Sequence, residues 1–261
     1  MKFIHLTDTH LVAEGETLLG NDPAERLRGA VVSINAEHSD AAFVVITGDL
    51  TDQGRAGEYA AFRREIAALG MPVHCLLGNH DNRDAFLAAF PEVQPDPHGF
   101  VQSAFDTTVG RFILTDTHVP GSDSGDLCAA RLAWLKDQLS TSAHPVFLFL
   151  HHPPMPLGLP SLDNIPLTNP DALFAVLEPA LPRIRHLFFG HAHRPIWGTW
   201  RGIPYSCMRG MNHQIALDMT VPVDIFPANF EPPAYGVVLV GDDQVTVHMH
   251  DYTSGGDTFE A

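Results

Sequence analysis

Short, mostly apolar runs that break at once into ionisable residues recur down the first three quarters of the chain. Phe3–Leu6 leads into Asp8-Thr9-His10, and Phe43–Ile46 into Gly48-Asp49. Val73–Leu77 leads into Gly78-Asn79-His80-Asp81, Val146–Leu150 into His151-His152, and Leu187–Phe189 into Gly190-His191-Ala192-His193. Runs of this length, rich in β-branched and aromatic residues, predict buried strands. Between them lie helical periodicities. Asp22 caps a helix that Pro23 opens, with Leu27, Val31 and Ile34 on one face. Tyr59, Phe62, Ile66 and Leu69 mark another, stopped by Gly70, and Asp84–Phe90 and Arg131–Leu139 two more. Phe112–Leu114 is a further strand. Alternation of this kind predicts stacked β-α units. The final quarter differs: Ile196–Trp200, Gln214–Asp218, Val237–Val240 and Val245–Met249 read as strands without helices between them. The expected class is mixed α/β, a sandwich with helices outside, in one domain over residues 1–261. Two Pro-rich segments, near 153–170 and 221–233, are expected as ordered loops or arms.

Loops at the carboxyl ends of strands in such sheets converge on one crevice, so residues far apart in sequence become neighbours. An i, i+2 pair on extended backbone points to one side, which lets Asp8 and His10 grip one ion. His191 and His193 can divide between two ions, and Asp49 can bridge both through its two oxygens. Asn79 offers a neutral carbonyl, and His151 another imidazole. The glycines before Asp49, Asn79 and His191 allow sharp turns and close approach. Taken singly, Asp-x-His is a common cap or surface pair and Gly-Asp a common turn, while Gly-Asn-His-Asp is rarer and His-His and Gly-His-x-His rarer still, though each could be a polar loop. Five in this order, each after an apolar run, define a set. With no thiolate among the donors, the set suits Fe, Mn, Co or Zn.

Charge narrows the partners. Fifteen basic against 31 acidic residues give a net charge of −16, which disfavours long nucleic acids. No apolar stretch reaches the roughly 18 residues that span a bilayer. Asp8 and His10 interrupt the start of the chain, which lacks the unbroken apolar core of a signal peptide. The three cysteines, Cys75, Cys128 and Cys207, have no metal-motif spacing, so reduced thiols and a cytoplasmic location are expected, with no membrane partner.

The ordered set D-x-H, GD, GNHD, HH and GHAH, running from Asp8 to His193, resembles the calcineurin-like metallophosphoesterase superfamily. The His-His-Pro-Pro run at His151–Pro154 and the loop with Asn169 are similar to one branch, which contains class III cyclic nucleotide phosphodiesterases and bacterial glycerophosphodiesterases. The resemblance implies a four-layer αββα sandwich of two mixed sheets flanked by helices. It implies one metal ion on Asp8, His10, Asp49 and His193, and a second on Asp49, Asn79, His151 and His191. By the same resemblance His80 faces the substrate phosphate with Asn79 and protonates the leaving oxygen, while Asp52 orients His80. Protein phosphatases of the superfamily carry an arginine after the residue matching Asp52; here Gln53 stands there, which removes a bidentate phosphate clamp.

A small phosphodiester, a 3′,5′-cyclic nucleotide or a glycerophosphodiester, is therefore the expected substrate. A phosphomonoester or pyrophosphate on the same centre is the alternative, and a non-catalytic scaffold the reading from another class. A cyclic nucleotide needs a stacking wall, for which Phe226, Phe230 and Tyr235 are candidates if their arm reaches the crevice. Asn169 and His118 sit in loops that could serve a glycerol diester, with polar caps as the competing use. His248 and His250 alternate on a strand whose solvated face explains them. His5, His74 and His186 are expected as core or edge histidines, and Trp134, Trp197 and Trp200 as packing residues. Burial is expected for the apolar arm Val221–Phe230, on its own subunit or on another, and with it a homo-oligomer.

Overall fold

Alternation decides how strand β1 (Lys2–Leu6) is buried. Ile4 and Leu6 turn outward, into a cluster with Leu27, Val31 and Ile34 of helix α1 (Pro23–Glu37) and Tyr59 and Phe62 of α2 (Ala56–Ile66). Phe3 turns inward, where its ring meets Phe112, Phe149 and Phe188 of a second sheet at 5.3, 6.0 and 5.5 Å between centroids. Burying a phenylalanine is worth roughly 1.5–3 kcal/mol, and this aromatic layer is what holds the two sheets face to face. These features come from a computed structural model that describes residues 1–254; the rest of the expected 1–261 span lies outside the described residues.

In the first sheet β2 (Val44–Thr47) and β3 (Val73–Leu76) run parallel to β1 on one side. The second sheet begins with β4 (Ser103–Asp106), β5 (Arg111–Leu114), β6 (Val146–Phe149) and β7 (Ile184–Phe189), and continues through β9 (Ile203–Cys207) to the edge strand β8 (Ile196–Trp200). A two-stranded ribbon joins β10 (Gln214–Ile215) to β11 (Ala228–Asn229), and β12 (Tyr235–Val240) and β13 (Val245–His250) complete the other side of the first sheet. Helix α3 (Arg83–Ala89) packs with α1 and α2 on the first sheet through Phe86. On the outer face of the second sheet lie α4 (Ala129–Ser140), the short α5 (Pro160–Asp163) and α6 (Pro170–Leu177), through Leu135, Leu162 and Leu173. The order of layers is helix, sheet, sheet, helix, as the resemblance implied.

Where the expectations differ from the structure, the reasons are local. The strand at Gln214–Asp218 shrinks to two residues, Gln214 and Ile215, whose ladder partners Asn229 and Ala228 lie in the arm itself. Strand β9 escapes the sequence because Pro204 interrupts it. Its pairing to β7 starts only at Tyr205, so the missing N–H leaves no gap in that ladder. Asp22 caps α1 as expected, its Oδ1 accepting from Ala24 N and Glu25 N. His5 and His186 are core histidines that meet Thr47 and Ser206 hydroxyls, each at 2.9 Å. Trp134 and Trp200 pack in the outer core, but Trp197 is half exposed on the edge strand. On its own chain the apolar arm leaves Val223, Ile225, Phe226 and Phe230 exposed.

Candidate metal centre

Five strands deliver the candidate ligands, three from the first sheet and two from the second. Asp8 and His10 follow β1, Asp49 follows β2, and Asn79 and His80 follow β3; His151 follows β6, and His191 and His193 follow β7. Each turn is abrupt. Asp8, His10, Asp49, His191 and His193 have φ of 53°, 44°, 47°, 68° and 48°, in the left-handed region that ordinary residues avoid. Such strain persists only where surrounding structure imposes it, and it gathers at functional sites. Glycine supplies the clearance: a Cβ on Gly78 would lie 2.5 Å from Asp49 N and 2.7 Å from His151 Cε1.

The ligand atoms face one another. His10 Nε2 lies 3.1 Å from His193 Nε2 and 3.5 Å from Asp49 Oδ2, and His193 Nε2 lies 3.5 Å from Asp8 Oδ1. On the other side, His151 Nε2 lies 3.3 Å from the same Asp49 Oδ2 and 3.1 Å from Asn79 Oδ1. His191 Nδ1 completes that group, 3.0 Å from Asn79 Oδ1 and 3.3 Å from His151 Nε2. Asp49 thus sits between two half-sites. All of these side chains are buried except Asn79, which is partly so.

The outer hydrogen bonds select which nitrogen faces inward. His151 Nδ1 donates to Thr47 O at 2.7 Å, and His193 Nδ1 donates to His213 O at 2.9 Å, leaving each Nε2 lone pair for an ion. His152, although adjacent, is used elsewhere: Thr117 Oγ1 and Asp123 O take its two nitrogens. Burial favours the neutral forms of His191 and His193, pushing both down to about 3. Burial also raises Asp8, whereas Asp49 is held well below the usual carboxylate range against its own burial by His151 and His80. His151 is pushed up to about 9 because Asp49 outweighs the cost of burying its charge, so a cation at its Nε2 would take the place of a proton. Buried acceptors crowded at 3.0–3.5 Å, few of them carrying protons to share, fit cations between them. The N/O donor set suits Fe, Mn, Co or Zn.

His80 stands at the mouth, 40% exposed, with Nδ1 2.8 Å from the Asp52 carbonyl. Asp52 reaches it through that backbone oxygen; the carboxylate is 4.0 Å from His80 Nδ1 and 3.5 Å from His10 Nδ1. Burial opposes charge on His80, but Asp49, the Asp52 carbonyl and the Asp52 carboxylate prevail, and its pKa is raised. Asn169 is not brought to the centre. Its amide pairs with both N and O of Leu127, tying a loop beneath α6.

Two clefts meet at Asn79, His80 and Asp52. One, of about 420 Å³, is lined by Gln53, Asn82, Asp84 and His118. The other, of about 460 Å³, carries Leu19, Ile165, Ile215 and Phe226 over the metal ligands. So the arm reaches the crevice, but of its three aromatic candidates only Phe226 arrives. Phe230 lines a different depression, and Tyr235 is fully buried in the core.

Two residues at the site escaped sequence reasoning. His213 packs 4.5 Å from the His193 ring and 5.2 Å from the His10 ring, between centroids. It follows no apolar run, so nothing flagged it. Asp81 ties two of the loops together, accepting from Leu50 N, Thr51 N and Gly78 N as well as Tyr59 Oη. Its place in the GNHD run was the available signal.

Residues 1–195 match the calcineurin-like phosphoesterase family, and the chain belongs to that family of metal-dependent phosphoesterases with dinuclear centres. It is 43% identical to a probable cyclic nucleotide phosphodiesterase of Rhodopseudomonas palustris, over 99% of this chain and 95% of the relative. A glycerophosphodiester phosphodiesterase of Enterobacter lignolyticus is 31% identical over 82% of this chain and 79% of its own length. In shape, a dimetal phosphatase from Danio rerio matches with a TM-score of 0.71 over 96% of both chains, at 18% identity, which speaks for the fold alone. Among the described residues no helix is long and apolar enough to cross a membrane.

Proposed function

We propose that this chain hydrolyses small phosphodiesters, 3′,5′-cyclic nucleotides foremost, on two metal ions. One ion is held by Asp8, His10, Asp49 and His193, the other by Asp49, Asn79, His151 and His191. The observation that carries this reading is the position of Asp49 Oδ2, 3.5 Å from one half-site's His10 and 3.3 Å from the other's His151. Paired cations at such a site neutralise phosphate charge and acidify the attacking water.

The chain's own residues do the rest. His80 donates Nδ1–H to the Asp52 carbonyl, which turns Nε2 toward the mouth; its raised pKa favours the imidazolium, the form able to protonate a leaving alkoxide. Asp49 Oδ1 accepts from His80 N at 3.0 Å, fixing that loop against the bridging carboxylate. His80→Ala is expected to lower turnover of alkyl diesters by about 10²-fold or more, and of nitrophenyl diesters much less. Equal losses on both would remove His80 from the acid role.

Substrate choice follows from the clefts. Phe226 with Ile165 and Ile215 offers a flat apolar wall suited to a nucleobase. The polar cleft beside Gln53 and Asp84 favours a second reading, a glycerophosphodiester. The test is hydrolysis of cyclic AMP and of a glycerophosphodiester at equal metal loading, before and after chelation. Cyclic AMP should be the better substrate, Phe226→Ala should raise its KM alone, and chelation should abolish both activities. Retained activity after exhaustive chelation sinks the metal reading. The unpaired cysteines suit a reducing cytoplasm. Association of copies through the exposed arm would cover Val223 and Ile225, and sedimentation of the intact chain reads it.

A further inference from the structure

Among the described residues, one set of imidazole and carboxylate donors outside the centre comes together where α1 ends against the outer face of β13. Glu37, His38 and His250 each place one donor atom within 4.8 Å of the other two. None of them lines either cleft of the centre. The solvated-face explanation therefore holds for His248, which is exposed, but not for His250. His250 Nε2 lies 3.4 Å from Glu37 Oε2, and its ring sits 5.5 Å from that of His38. Both nitrogens of His38 are shielded from solvent and lack a hydrogen-bond partner among the described residues. His38 itself is partly exposed, but an imidazole with both nitrogens shielded and unpartnered is uncommon in folded proteins.

We propose that Glu37, His38 and His250 form a further cation site, for Zn²⁺ or a similar divalent ion such as Ni²⁺ or Co²⁺. Two imidazoles and one carboxylate are a donor set these ions accept, with the remaining position open to water. The surroundings orient the set. Ser33 Oγ donates to Glu37 Oε1 at 2.8 Å and pairs with Tyr235 Oη at 2.7 Å, which leaves Oε2 toward His250. The Tyr235 ring backs both imidazoles, at 5.8 Å from His38 and 5.0 Å from His250. Burial, then Lys2 and His250, lower the pKa of His38, so it presents the neutral form that ligates. Lys2 does not compete for the carboxylate, since it pairs with Asp40 at 2.6 Å. Helix α1 has no basic residue in its last turn, so a cation would also meet the negative end of its dipole. The ion would clip the end of α1 to the edge strand β13, two segments far apart in the chain.

The test is Zn²⁺ content per chain after equilibrium dialysis, for the wild type, His250→Ala and Glu37→Gln. The expected result is one ion fewer in both variants, with phosphodiester hydrolysis unchanged and a smaller Zn²⁺-induced rise in Tm than the wild type shows. Glu37→Gln keeps the ring packing intact, so its loss of an ion reports ligation even if His250→Ala disturbs the edge strand. Equal Zn²⁺ content in the wild type and Glu37→Gln overturns the proposal. Because the readout is a difference of one ion, it stands or falls independently of how many ions the main centre holds.

Discussion

Asp49→Ala is expected to leave a folded protein that has lost phosphodiester hydrolysis by about 10³-fold or more, since one carboxylate serves both half-sites. Its Oδ2 faces His10 and His151 from opposite sides, and its Oδ1 accepts from His80 N. No neighbouring oxygen can replace it. Asp8 Oδ1 is already engaged with His191 N at 3.0 Å and belongs to the half-site of His193, at 3.5 Å from its Nε2. Metal content measured beside kcat decides the cause: it should fall from two ions toward one or none. Unchanged metal content in an inactive variant would place Asp49 outside the ligand set.

The second large effect needs no change to any chemical group. Gly78→Ala puts a methyl 2.5 Å from Asp49 N and 2.7 Å from His151 Cε1, and against the Asp49 carboxylate itself. The loop cannot retreat freely, because Gly78 N is bound to Asp81 Oδ2 at 2.9 Å. Overpacking of this kind costs about 1–3 kcal/mol, and here it also displaces the carboxylate proposed to bridge the two ions, so activity should fall about 10²-fold. Gly57→Ala is the control. Its Cβ would meet only Ala13 Cβ at an ordinary 3.5 Å, on helix α2, where alanine is the better residue. Urea unfolding of the two variants should move in opposite directions. If Gly78→Ala unfolds at the same denaturant concentration as Gly57→Ala, the crowding is not real.

The candidate centre was legible because each motif that carries a proposed ligand follows an apolar run, and strand ends in one sheet direction share a rim. The ion-facing atoms meet at 3.0–3.5 Å although the motifs span Asp8 to His193. What stayed hidden depends on contacts that no local pattern encodes. Asn169 looked available in its loop, but the backbone of Leu127 engages both ends of its amide. Asp52 was expected, by resemblance, to orient His80, and its nearer contact with that ring is a backbone carbonyl that every residue carries. His213 was a lone histidine in sequence and His250 one of an alternating strand pair, and only the folded chain sets them beside His193 and Glu37. Strand β9 was masked by Pro204, which pairs with β8 beyond the stretch bonded to β7.

Five of the seven residues proposed to hold metal occupy left-handed backbone. Glycine, or to a lesser degree asparagine, would relax each of those positions. A library of this chain sorted only for heat resistance would therefore drift toward glycine at positions 8, 10, 49, 191 and 193, and its most durable members would be inert.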